Sequence, residues 1–186
     1  KLFRKDFVIK NQLEFPAFRL GEDSAFVVPA LILASRVSIV DEALYHYAVD
    51  RQDSALHSYR DQRLLEVFDA CDYMIDRCRT LGKWEMLESE LTEYLRRVLA
   101  ARFHILKEIE DDGFVKTFIG NVFHYMDKKL SKWNQTEYYQ NACEEAAASD
   151  EPYDLAKLTK EGMETYFFGE KPAGFWKKLF KDRCRI

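Results

Sequence analysis

The sequence has little of what builds disulfide scaffolds, phosphate-binding loops or membrane spans. Its 186 residues include four cysteines and seven glycines, without a Cys-x-x-Cys pair or a glycine-rich phosphate loop. Cys71 and Cys78 lie two turns apart on a predicted helix, about 10 Å of rise, which is too far for a disulfide. No apolar run reaches the ~20 residues that cross a bilayer. These absences predict reduced cysteines, a cytosolic protein and no membrane span.

A surplus of positive charge is also lacking. The chain has 28 Lys and Arg residues and 32 Asp and Glu residues, which gives a net charge of −4. Nucleic acid is therefore not expected as a partner, since phosphate binding needs a concentrated basic face. The chain starts at Lys1 without a signal peptide, so we expect a fragment of a longer protein. The residues that are present, 47% hydrophobic with fourteen Phe and ten Tyr, are typical of a globular chain.

The first 58 residues mix short elements with turns. Apolar spacing predicts a short helix over residues 2–9, and an extended piece at 13–16 ends at a proline. Gly21 precedes Glu22-Asp23-Ser24, a typical helix start, and the following apolar stretch continues that helix through Pro29.

Two short strands are predicted next. Residues 36–40 alternate and are rich in β-branched side chains, and residues 44–49 follow across a short turn. The fold class expected is mainly α, with a small α/β piece over residues 1–58 and a helical bundle over 59–186.

From residue 59 onward the apolar periodicity is helical. This spacing of apolar residues predicts helices over 64–81, 87–103, 114–126, 135–148 and 155–168. The tail, 171–186, carries six Lys or Arg against one Asp, with aromatic residues at helical spacing. It is either a basic amphipathic anchor for a membrane surface or a helix that docks on its neighbours.

Five short motifs occur in a fixed order over the first 54 residues. They are Lys1-Leu2-Phe3-Arg4-Lys5, Phe15-Pro16, Gly21-Glu22-Asp23, Val40-Asp41-Glu42-Ala43-Leu44-Tyr45-His46-Tyr47 and Arg51-x-x-Ser54. This ordered set resembles the region around the Glu-Asp motif of bacterial family-2 inverting glycosyltransferases of the GT-A fold. The resemblance covers roughly the first third of the chain. Taken without these neighbours, two acids at a helix start are explained by capping alone.

The resemblance implies transfer of a sugar from a nucleotide-sugar donor to an acceptor hydroxyl with inversion, in the synthesis of cell-surface polysaccharides or glycoconjugates. Asp23 would be the general base that takes the acceptor proton, and Glu22 would support the same site. Arg51 and Ser54 would stabilise the charge of the donor diphosphate, although a solvated turn is an equal alternative for both.

The resemblance also implies parts that this sequence lacks. The family binds a divalent metal, Mn²⁺ or Mg²⁺, through an Asp-x-Asp motif in its nucleotide-binding half, and no such triplet occurs here. That half is expected to precede Lys1, so this chain alone should bind neither metal nor nucleotide sugar and should be inactive. The acidic residues at 110–112 are instead interpreted as a helix cap.

The expected partners are a glycan or lipid-linked acceptor and the missing nucleotide-binding half, with a membrane surface and a second copy of the chain as further candidates. The expected location is the cytoplasm, or the inner face of the cell membrane. The competing hypothesis is a non-catalytic module, either a helical domain that binds a partner protein or a peripheral membrane-binding unit.

Overall fold

The computed structural model describes residues 1–45, 60–148 and 157–170. Within these ranges the chain is mainly helical, as predicted, and contains no strand. Two 3-10 helices, Gln62–Leu65 and Ala101–Glu108, extend the helical content. The α-helices are α1 (Lys5–Lys10), α2 (Glu22–Leu33), α3 (Glu66–Thr80), α4 (Trp84–Ala100), α5 (Asp112–Lys129), α6 (Glu137–Ala148) and α7 (Lys160–Phe168).

The chain divides into two compact units, Lys1–Met86 and Leu87–Ile186. Helix α4 crosses this division, and its backbone departs from helical geometry at Leu87, where φ is −118° and ψ is 16°. Helix α3 thus belongs to the same unit as the first 45 residues. The module boundary predicted near residue 58 lies outside the described residues and stays a prediction.

In the first unit, α2 packs along α3. A small apolar cluster also forms against α2, where Leu13, Phe26 and Ala30 are buried. The ring of Phe26 stacks on Phe15 at a centroid distance of 4.3 Å and meets the edge of Phe3 at 5.2 Å. The helices predicted over 2–9 and after Gly21 are therefore confirmed as α1 and α2.

Polar contacts from α3 fix the connection between α1 and α2. Nη2 of Arg77 donates to the carbonyl oxygens of Asn11 at 2.8 Å and Gln12 at 3.1 Å. At the other end of α3, Oε2 of Glu66 accepts from the backbone N–H of Arg19 at 2.7 Å. Because both ends of the connection are bonded to one helix, the residues that lead into α2 have a defined path.

The strand predicted over residues 36–40 is wrong. This segment has no regular secondary structure, and Val37, Ile39 and Val40 are exposed. A strand needs a neighbour to pair its backbone N–H and C=O groups, and the described residues supply none. Leu44 and Tyr45 of the second predicted strand also lie outside regular structure, and residues 46–49 fall outside the described ranges.

Helix α3 ends just before a glycine with left-handed backbone geometry, close to the end predicted at residue 81. Gly82 has a φ of +62°, and its N–H donates to the carbonyl of Arg79 at 2.8 Å. The N–H of Lys83 donates to the carbonyl of Cys78 at 3.0 Å, which completes a Schellman motif. Within the described residues Cys71, Cys78 and Cys143 are buried as reduced thiols and not as disulfides, as predicted. Burial raises the pKa of the Cys78 thiol.

The core of the second unit lies along α5. The buried residues of this helix are Val115, Phe118, Ile119, Val122, Phe123 and Met126. Oδ1 of Asp111 accepts from the N–H of Phe114 at 3.0 Å, so the acidic residues before α5 are a helix cap, as predicted. Helix α7 packs against α5. A second cluster forms where Tyr139 and Cys143 of α6 meet Leu158.

Candidate functional site

The candidate site begins at the left-handed backbone of Gly21. Its φ is +87° and its ψ is 10°, and its carbonyl accepts the first bond of α2 from the N–H of Ala25 at 2.9 Å. Gly21 is buried against α3, where a Cβ atom on it would come within 2.9 Å of the Cβ of Ala70. A side chain at this position would therefore suffer both backbone strain and a clash, and glycine avoids both.

Glu22 and Asp23 occupy the first turn of α2, as the sequence predicted. Asp23 is exposed and Glu22 is half-buried. Oδ1 of Asp23 accepts from the backbone N–H of Ser24 at 2.7 Å, so one carboxylate oxygen is engaged at the helix terminus. The other oxygen, Oδ2, receives no hydrogen bond from the described residues.

The electrostatic surroundings of this turn favour an anion. The helix N-terminus carries partial positive charge from its unpaired N–H groups. Neither Glu22 nor Asp23 forms an ion pair with any residue in the described part of the chain. An exposed, fixed carboxylate with one oxygen open to solvent can accept a hydrogen bond or a proton from a ligand hydroxyl.

The structure brings together only part of the predicted site. Glu22 and Asp23 lie side by side at the start of α2, whereas Arg51 and Ser54 fall outside the described residues. Their predicted contact with a donor diphosphate stays a prediction.

The described residues do not form a metal centre. They contain no group of three or more His, Cys, Asp or Glu side chains placed to hold a metal ion. The sequence resemblance assigns the divalent metal to an Asp-x-Asp motif, and no such triplet occurs in this sequence. Glu22 and Asp23 are therefore not assigned as metal ligands.

Sequence reasoning missed an apolar surface next to α1 and α2. Exposed Val37, Ile39 and Val40 border an open cavity that also contacts Phe3 and Phe7. The β-branched alternation over 36–40 was the sequence signal for this surface, although that pattern was interpreted as a strand.

Comparison of the chain with protein-family models, curated proteins and solved structures finds no match. Among the described residues, no helix has both the length and the apolar content needed to cross a membrane.

Proposed function

We propose that this chain is the acceptor-side part of an inverting glycosyltransferase, with Asp23 as the general base. The reaction passes the sugar of a nucleotide-sugar donor to an acceptor hydroxyl. Asp23 accepts the hydroxyl proton as the acceptor oxygen attacks the anomeric carbon and the nucleoside diphosphate leaves. Glu22 hydrogen-bonds the acceptor, and Arg51 and Ser54 contact the donor diphosphate.

The observation that carries this proposal is the state of Asp23. Its carboxylate is exposed at a helix N-terminus, has one oxygen held by Ser24 N–H, and has no cationic partner among the described residues. A general base needs this combination of a fixed position, negative charge and access to its substrate. The ordered motifs around Gly21-Glu22-Asp23 support the choice of reaction.

The proposal expects a nucleotide-binding domain with an Asp-x-Asp motif to be encoded upstream of Lys1. The longer chain, expressed with that domain, should release nucleoside diphosphate from one member of a panel of UDP-, GDP- and dTDP-sugars. Asp23→Asn should lower the transfer rate about 10²- to 10⁴-fold, the usual contribution of a general base. Binding of the donor, measured by calorimetry, should not change.

Asp69→Asn is the matched control, because Asp69 is also an exposed carboxylate in the first turn of a helix of the same unit and lies outside the five motifs. It should leave the transfer rate unchanged. Full turnover by the Asp23→Asn enzyme would overturn the assignment of the base, and an unrelated domain or a stop codon upstream of Lys1 would overturn the glycosyltransferase itself.

The predictions of the acceptor and of the cellular location belong to the same proposal. The acceptor is a glycan or lipid-linked glycan, and the enzyme acts in the cytoplasm or at the inner face of the membrane. The basic tail, 171–186, lies outside the described residues, so membrane anchoring through it stays a prediction. A helical interaction or membrane-binding module is the alternative if the longer chain lacks transfer activity.

A further inference from the structure

Exposed apolar side chains concentrate at the start of the chain. Nine of the 13 large hydrophobic residues that are exposed in the described ranges lie within the first 45 residues. Scattered exposed hydrophobic residues are ordinary, but a contiguous group marks a surface that another molecule covers.

Part of this group lines one concave surface, the apolar groove. It lies between α1, the end of α2 and residues 34–45, and encloses an open cavity of about 1510 Å³. Its apolar lining includes Phe3, Phe7, Leu33, Val37, Ile39 and Val40. Ile39 is 93% exposed, so it contributes nothing to the core of the folded unit. A groove of this volume accommodates an inserted segment, whereas a flat membrane surface would not fill it.

One wall of the apolar groove is a stretch of backbone that has no hydrogen-bond partner among the described residues. Residues 36–40 form no backbone or side-chain hydrogen bond with any part of the chain that the structure describes. Their sequence, Arg36-Val37-Ser38-Ile39-Val40, nevertheless has the β-branched alternation of a strand. Open N–H and C=O groups on such a stretch are a template for pairing with a second extended chain.

The charges around the apolar groove favour an acidic occupant. Its lining contains Lys1, Arg4, Lys10 and Arg36, against a single acid, Asp6. Arg4 pairs with Asp6 at 2.7 Å. The other three cations form no ion pair with the described residues, so the lining is positive, while exposed Asp41 and Glu42 adjoin the groove without lining it. Complementary charge gives an interface specificity and a faster association rate.

We propose that the apolar groove binds an extended polypeptide segment of alternating apolar and acidic residues. The segment pairs with residues 36–40 as a second strand, places its apolar side chains in the groove and directs its acidic ones toward Lys1, Lys10 and Arg36. A lipid surface would satisfy the apolar side chains but not the backbone groups of 36–40. This binding does not depend on the proposed glycosyltransferase activity.

The test uses fluorescein-labelled peptides and fluorescence anisotropy with the whole chain. A heptapeptide of alternating Glu and Val should bind, and its affinity should fall as salt is raised. A Lys-Val heptapeptide should not bind. The Glu-Val peptide with three consecutive central residues N-methylated should also fail, because methyl groups then block both edges of the strand.

Three variants of the protein locate the site. Ile39→Asp should weaken binding of the Glu-Val peptide about tenfold or more, since it puts a charge into the apolar contact. Arg36→Glu should weaken binding and reduce its dependence on salt. Met86→Asp is the control, because Met86 is 66% exposed in the same unit and does not line the groove. Its binding should equal that of the unchanged protein.

Several results would overturn the proposal. Equal binding of the N-methylated peptide would exclude strand pairing, and equal binding of the Lys-Val peptide would exclude the charge argument. Binding to phosphatidylserine vesicles that is lost in Ile39→Asp, without peptide binding, would show a membrane contact instead. A dimer in sedimentation velocity that dissociates in Ile39→Asp, again without peptide binding, would show that a second copy occupies the groove.

Discussion

At the scale of single residues, Gly21 sets the position of the candidate base. Its φ of +87° turns the chain into α2, and the absence of a side chain lets it contact Ala70 of α3. Asp23 follows two residues later, so its place relative to α3 depends on this contact. Sequence reasoning identified the glycine as a helix start, but its contact with Ala70 joins residues far apart in the chain and has no local signal.

Gly21→Ala should lower the free energy of unfolding by about 2–4 kcal/mol, the sum of left-handed strain and overpacking. Gly82→Ala is the matched control, because Gly82 is also left-handed at φ +62° but has no atom within 4 Å of an added Cβ. It should lose only the strain, about 1–2 kcal/mol. Urea denaturation measures both values.

Ala70→Gly, which alone should cost about 1 kcal/mol in a helix interior, should combine with Gly21→Ala at less than the sum of the two losses. It removes the atom that the new methyl group meets. If Gly21→Ala costs no more than Gly82→Ala, the close approach of α2 to α3 is not a determinant of stability.

At the scale of elements, α4 contains a buried ion pair. Both oxygens of Glu93 are bonded, with Arg96 Nη2 at 2.7 Å from Oε1, Arg96 Nε at 2.8 Å from Oε2 and Arg97 Nε at 2.6 Å from Oε1. The side chains of Glu93 and Arg96 are 6% and 8% exposed. The guanidinium of Arg96 also lies 5.7 Å from the ring centre of Tyr139 on α6, so the pair joins two helices of the second unit.

This pair makes the stability of the second unit depend on pH. Burial alone would raise the pKa of Glu93, but the hydrogen bonds from Arg96 and Arg97 outweigh it and lower the pKa below its ordinary value of 4.5. Because the pKa of Glu93 is lower in the folded state than in the unfolded state, its ionised carboxylate stabilises the fold at any pH above the unfolded-state pKa. This stabilisation is lost as the pH falls through the folded-state pKa. The loss should therefore appear below about pH 4.5.

Glu93→Gln should lower the free energy of unfolding by about 3–5 kcal/mol at pH 7, because it leaves a buried guanidinium without a countercharge. The variant should also lose less stability than the unchanged protein between neutral pH and pH 3. Glu164→Gln is the control, since its pair with Lys160 is exposed and 3.8 Å long, and exposed pairs contribute little. Equal pH profiles for the unchanged protein and Glu93→Gln, measured by urea denaturation, would contradict the role of this pair.

The elements differ in how far the sequence could predict them. Helices with a one-sided apolar stripe, such as α3 and α5, follow from local spacing, and their ends follow from Gly82 and Asp111. The segment 36–40 has the local pattern of a strand, but a strand depends on a partner that local sequence does not reveal. The same limit applies to Asp23: the sequence placed it at a helix start, whereas its exposure depends on packing between distant residues.

At the scale of the whole molecule, the two compact units carry different features. The first, Lys1–Met86, contains the candidate base and the apolar groove, and the second, Leu87–Ile186, contains the buried ion pair and the core along α5. The non-helical backbone at Leu87 lies at the point where the units divide.

Each unit should therefore open separately under native conditions, with a free energy of its own. Hydrogen exchange followed by mass spectrometry measures this opening for each helix. Gly21→Ala should speed exchange in α2 and α3 and leave α5 and α6 unchanged, while Glu93→Gln should speed exchange in α5 and α6 and leave α2 and α3 unchanged. If either substitution accelerated exchange equally in all four helices, the chain would open as one cooperative body, and a loss of stability in the second unit would then reach the site at Asp23.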